Sequence, residues 1–175
     1  MATYKTTSIA ANFGVRAFLT KVGELHLGRN YNTDSGQGKK DWIRIKDVFD
    51  NSCAYCGATD VQLSMEHLVM HNQTACGLHH PGNIVPCCTP CNTRSRDKEK
   101  RYVTWETHLE IRNSPPHVVD NRFEERFDRI QQHIMREKYP GLNAEERKAI
   151  SNLAESLYAS IVNEVDKALT SYKQN

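Results

Sequence analysis

The sequence predicts an α+β fold: a small cysteine-framed module of two short strands and a helix, set between mostly helical N- and C-terminal extensions. Three observations predict it. All six cysteines (Cys53, Cys56, Cys76, Cys87, Cys88 and Cys91) fall within residues 53–91. Inside that stretch Val61, Leu63 and Met65 alternate with polar residues, the period of a half-buried strand, and Asn83-Ile84-Val85-Pro86 forms a second short apolar segment. Outside it the apolar residues recur at helical spacing instead.

The elements follow in order. A helix is expected over Ile9–Val22, then a polar loop, GRNYNTDSGQGKK. In residues 39–51, Trp42, Ile45 and Val48-Phe49 are spaced for a short helix that delivers the chain to the first cysteines. After the strand at 61–65 and the segment at 83–86, the stretch from Pro90 or Cys91 to about Lys100 reads as the module's helix, and Tyr102–Ile111 as another. Ser114-Pro115-Pro116-His117 breaks the chain. Phe123, Phe127, Ile130 and Ile134 then mark a helix that Pro140-Gly141 ends. The last helix opens with Asn143 as N-cap and Glu146 three residues on, a capping box. Its apolar stripe is Ile150, Leu153, Leu157, Ile161, Val165 and Leu169, which must pack on the module, on the preceding helix or on a second copy of the chain. These elements divide the chain into a helical N-terminal extension (1–50), the module (51–104) and a helical C-terminal extension (105–175).

Composition narrows the class. No run approaches the roughly 20 apolar residues needed to cross a bilayer. The N-terminal stretch also lacks the continuous apolar core of a secretory signal, so a cytoplasmic location is the expectation. The formal charge of +2 does not itself point to nucleic acid, but its distribution does. Residues 53–91 contain no Lys or Arg, while Lys39 and Lys40 precede them and Arg94, Arg96, Lys98, Lys100 and Arg101 follow. Such flanks suit a phosphate backbone, whose condensed counterions are released when cations neutralise it. A solvated charged helix face is the alternative.

Two Cys-x-x-Cys pairs, Cys53/Cys56 and Cys88/Cys91, place four thiolates on two small loops, the tetrahedral sulfur set that zinc prefers. Cys87 is set aside because its partner position would be Pro90; Cys76 is a buried small residue or an exposed thiol. With four sulfur ligands the zinc has no open position, so it is structural and any chemistry must come from elsewhere.

In the order and spacing of CAYCG (53–57), EH (66–67), NIVPCC (83–88) and CTPCN (88–92), the chain resembles the HNH endonuclease family, in its zinc-stapled ββα-metal branch. The resemblance implies metal-dependent hydrolysis of phosphodiester bonds in DNA, double-stranded above all, by a restriction-type or phage or defence nuclease. It implies His67 as general base on the attacking water and Glu66, where Asp is commoner, as ligand of a catalytic divalent cation. Asn83 would brace the loop and orient the histidine, and Asn92 would be the second metal ligand, making an H-N-N variant. Hard oxygen donors suit Mg2+ or Mn2+. Strict alternation would send Glu66 and His67 to opposite faces, so the strand is expected to end or bulge there. His71, His79 and His80 lie in the intervening loop, exposed or near phosphate. A homodimer is compatible with an enzyme cutting both strands of a palindrome. Two other classes stay open: a zinc-stabilised nucleic-acid-binding module without catalysis, and an interaction scaffold using the C-terminal helices.

Overall fold

The computed structural model describes residues 6–114 and 122–174, so all but Ser114 of the expected break at 114–117 lies outside the described residues. Within them the chain is mixed α+β: five α-helices and one two-stranded sheet. The elements are α1 (Thr7–Leu27), α2 (Gly36–Val48), β1 (Leu63–His67), a 3-10 turn (Pro81–Asn83), β2 (Ile84–Cys88), α3 (Trp105–Arg112), α4 (Phe123–Arg136) and α5 (Ala144–Gln174). No helix among the described residues is long and apolar enough to cross a membrane.

The chain divides into two compact units, each assembled from separated segments. The first comprises Met1–Arg29, Met70–His79 and Pro140–Asn175. Here α1 packs on α5, a partner that the amphipathic pattern of α5 did not identify. α1 buries Ala11, Val15, Leu19 and Gly23, four residues apart and therefore on one face. Gly23 is required by close approach, because a Cβ there would collide with the backbone carbonyl of His79. The capping box of α5 is formed: Glu146 N–H donates to Asn143 Oδ1 (2.9 Å) and Asn143 N–H to Glu146 Oε2 (2.8 Å). Its buried residues are Ile150 and Ala154, whereas Leu153 and Leu169 of the expected stripe are exposed.

The second unit comprises Asn30–Val69 and His80–Tyr139. α2 begins at Gly36, inside the stretch expected to be loop, after Ser35 in extended conformation. β1 and β2 pair antiparallel from Leu63↔Cys88 to His67↔Ile84 without a bulge, so of the two expectations at Glu66-His67 it is the strand's end, after His67, that is found. Pro86 is tolerated because it stands opposite Met65, where its missing N–H faces away from β1; its carbonyl accepts from Ala54 N–H (2.8 Å). The core gathers Ile45 from α2 and Phe49 just after it, Tyr55, Val85 and Cys87, Trp105 and Leu109 from α3, and Ile130 from α4. Trp105 stacks on Phe127, with ring centroids 5.4 Å apart.

The helix expected over residues 91–100 does not form. Cys91 and Asn92 N–H both bond the Cys88 carbonyl (3.0 and 2.9 Å) in a turn, and Arg96 then pairs with Tyr102 as an isolated bridge. Residues 92–101 (NTRSRDKEKR) contain no apolar side chain, so a helix there would have no face to bury. The helix that follows β2 is α3, capped by Thr104, whose hydroxyl accepts from Thr107 N–H.

α4 is anchored by His133, whose Nε2–H donates to the carbonyls of Pro81 (3.1 Å) and Ile84 (3.0 Å). Its Nδ1 is buried without a partner, so protonation would create a donor with nothing to accept it. Burial accordingly lowers the His133 pKa below the ordinary 6.5. The unfolded chain then binds the extra proton more readily, so stability is lost as pH falls below about 6.5. Urea midpoints of wild type should drop between pH 7 and 5, and His133→Gln, which keeps the donor but cannot titrate, should flatten that drop. Identical pH dependence in the two proteins would exclude the ring as its source.

Candidate metal centre and the acid-histidine hairpin

The structure brings together Cys53, Cys56, Cys88 and Cys91, whose sulfur atoms all lie within 4.8 Å of one another. Among the described residues this is the one group of three or more His, Cys, Asp or Glu able to hold a metal ion. The first pair sits on a knuckle closed by Gly57 N–H to the Cys53 carbonyl (2.8 Å) and Cys53 N–H to the Ala58 carbonyl (2.9 Å). Gly57 adopts φ 73°, which a side chain would resist. The second pair runs from Cys88, the last residue of β2, to Cys91 on the turn that follows. Cys56 and Cys88 sulfurs are 3.7 Å apart; tetrahedral zinc with bonds of about 2.3 Å requires edges of about 3.8 Å. Four soft sulfur donors in that arrangement fit a structural zinc ion.

The thiols are strongly coupled. Hydrogen bonding from Cys56, Cys87 and Cys91 holds Cys53 far below the ordinary thiol range, and the same sharing drives Cys91 upward and Cys56 up to about 11. Cys87 belongs to this hydrogen-bonded group but not to the four-sulfur set; its thiol points at the Cys88 carbonyl (3.5 Å). Cys76 lies elsewhere, in the Met70–His79 segment of the first unit, donating to the Gln73 carbonyl (3.1 Å).

Glu66 and His67 are the last two residues of β1. Because pairing is regular through His67, their side chains leave opposite faces of the strand. Glu66 is nearly buried, and Oε1 accepts from both Arg94 Nε (3.2 Å) and Nη2 (2.6 Å). Arg94 Nη2 also donates to the carbonyls of His67 (2.9 Å) and Leu68 (3.1 Å) and reaches Tyr55 Oη (3.4 Å). Burial pushes the Glu66 carboxyl above the usual range, and the Arg94 charge only partly offsets it. Arg94 therefore faces inward, at 5% exposure, and is not one of the cations a phosphate could meet. Arg96, Lys98, Lys100 and Arg101 remain exposed, with Arg96 lying 3.9 Å over the Tyr102 ring.

Asn83 is buried beside the turn that follows β1. Its Nδ2 donates to the Val69 carbonyl (2.9 Å), its Oδ1 accepts from Val69 N–H (2.7 Å), and its own carbonyl accepts from Leu68 N–H (2.9 Å). Asn92 is half-buried, with Nδ2 bonded to Ser64 Oγ (2.7 Å) and close to the Met65 carbonyl (3.5 Å). Ser64 and Glu66 alternate onto one face, which places the amide of Asn92 about 7 Å along β1 from Glu66. His80 lies in this unit and is buried, capping the 3-10 turn through Nδ1, which accepts from Gly82 N–H (3.1 Å). His71 and His79 are in the first unit, where His71 Nδ1 meets the Gly77 carbonyl (2.8 Å).

Two supporting residues were not singled out from the sequence. Arg94 appeared only as one of a basic run. His108 is fully buried on α3, with Nε2–H donating to the Cys91 carbonyl (2.9 Å) and Nδ1 accepting from Ser95 N–H (3.1 Å), so it ties α3 to the second knuckle. Its spacing with Trp105 and Leu109 on one helix face was the available signal. No protein-family model, curated protein or solved structure matches the chain.

Proposed function

We propose that the protein is a metal-dependent, HNH-type endonuclease that hydrolyses DNA phosphodiester bonds. The observation that carries this is the position of His67, at the end of a zinc-knuckle-flanked hairpin whose following turn is fixed by three hydrogen bonds to Asn83. Histidine is the side chain most often used as general base on an attacking water. Arg94 occupies Oε1 of Glu66, and Asn92, about 7 Å along β1, bonds through its Nδ2, so one hard cation would be held by Glu66 Oε2 or by Asn92 Oδ1 rather than by both, with water completing its shell. Mg2+ or Mn2+ suits such a site because it keeps several waters and needs few protein ligands; it would supply charge neutralisation at the phosphate. Zinc stays in the sulfur site. Plasmid DNA should be nicked by the zinc-loaded protein when Mg2+ or Mn2+ is added, and His67→Ala should lower the rate by about 10²–10⁴-fold. Equal nicking by both proteins would sink the mechanism.

A second reading, a zinc-stabilised nucleic-acid-binding module without catalysis, is favoured by the engagement of Glu66 with Arg94. It predicts salt-sensitive DNA binding, no cleavage with any divalent metal, and indifference of that binding to Glu66→Gln.

A further inference from the structure

Within the second unit a cleft of about 290 Å3 opens between the end of α2, the first cysteine knuckle and the first two turns of α4. Two carboxylates, Asp50 and Glu125, line it together with three arginines, Arg122, Arg126 and Arg129. Offsets of four and three residues gather them within roughly 60° around the helix, while Glu124 and Asp128 project from the far side. The three guanidinium groups are not equivalent. Arg126 lies against the knuckle, where a Cβ on Gly57 would collide with it, and it bonds Asn113 Oδ1. It is thereby committed to the knuckle, whose thiolates carry net negative charge when metal is bound. Arg122 is exposed at the start of α4. Arg129 bonds Asp50 (2.6 Å) and Glu125 (3.4 Å), carboxylates that are 74% and 54% exposed. Ion pairs this exposed contribute little and yield readily to a more highly charged anion. Guanidinium groups match the oxygens of a phosphate in geometry as well as charge.

We propose that this cleft seats one phosphate group of a nucleic-acid backbone, with Arg122 and Arg129 as its donors and Arg126 fixing the wall. The assignment rests on the nucleic-acid substrate proposed above, and separates from the cleavage chemistry when tested. Binding of a fluorescein-labelled DNA duplex to the zinc-loaded full chain is followed by anisotropy over a range of NaCl concentrations, without added Mg2+ or Mn2+. The Arg122→Gln/Arg129→Gln variant should bind about tenfold more weakly, and its slope of log K against log salt should be shallower by about 0.9, the loss of one phosphate contact. Arg136→Gln, exposed on the same helix but outside the cleft, should bind as wild type does. Wild-type affinity and slope in the double variant would overturn the proposal, as would a wild-type protein that binds no duplex. Inorganic phosphate provides the second arm. If it raises the melting temperature of wild type but not of the double variant while duplex binding is unchanged, the cleft takes a free ion and the backbone assignment falls. A shallower salt slope in the variant, with no cleavage by wild type under any metal, keeps the phosphate seat and removes the nuclease.

Discussion

Stripping the metal from the four-cysteine site is expected to unfold the unit formed by Asn30–Val69 and His80–Tyr139. Its sheet has two strands of five residues each, and a hairpin of that size is marginal in water without further support. Part of that support is the core, but Cys53, Cys88 and Cys91 are themselves core residues, so the thiols left without metal are buried in the middle of it. Structural zinc in small modules is worth on the order of 10–16 kcal/mol, comparable with the roughly 5–15 kcal/mol that separates a whole folded domain from its unfolded chain. Metal analysis should find one zinc per chain. A chelator added at neutral pH should then shift Trp105, buried and stacked on Phe127, to the emission of an exposed indole and abolish cooperative melting. Cys53→Ser should reproduce that state without chelator, whereas Cys76→Ser and Cys87→Ser should retain stoichiometric zinc. Chelator that removes the zinc yet leaves emission and melting unchanged would show that the fold does not depend on the ion.

The signals that were legible in the sequence are local ones. The two strands followed from alternation at 61–65 and the apolar run at 83–86; α4 and the start of α5 followed from periodicity and a capping box whose two bonds are present. The four thiols were legible because Cys-x-x-Cys fixes its own loop. What was not legible depends on partners distant in the chain. Arg94 sits in a run of cations and reads as one more of them; only Glu66, 28 residues away, and the carbonyls of His67 and Leu68 turn it inward. The α5 stripe announced that something must cover it but could not say that α1 does, and the packing favours Ala154 over Leu153. The helix expected at 91–100 was read onto residues with no apolar face, and the turn at Cys88–Cys91 took its place. Glu66 and His67 were recognised as a pair by adjacency, yet adjacency on a regular strand separates their side chains.

Replacing Arg94 by Met should cost about 3–5 kcal/mol, the penalty typical of breaking a buried ion pair from one side. The side chains of Arg94 and Glu66 are 2% and 12% exposed, so neither charge can turn to water when its partner is lost. Two carbonyls, of His67 and Leu68, would lose their Nη2 donor together with the carboxylate. Arg94 currently opposes the desolvation that raises the Glu66 pKa; without it that pKa rises further. A group whose folded-state pKa is raised favours the native state at low pH and disfavours it once ionised, so the deficit of Arg94→Met should grow as pH rises above the ordinary carboxyl value of 4.5. Adding Glu66→Gln removes the ionisable group, so the double variant should recover part of the loss and show a flatter pH profile above that value. The comparison is made by urea unfolding of the zinc-loaded proteins. A loss below about 1 kcal/mol in Arg94→Met would mean that the pair is no more than a surface contact. The same variants bear on chemistry, because a carboxylate relieved of its guanidinium is a better ligand for a hard cation. If Glu66 is the divalent-metal ligand, Mn2+ should stabilise Arg94→Met more than wild type, and that difference should vanish in Arg94→Met/Glu66→Gln. If Glu66 serves only to hold Arg94 against the ends of β1, Mn2+ will not discriminate among the three proteins, and the carboxylate belongs to the fold alone.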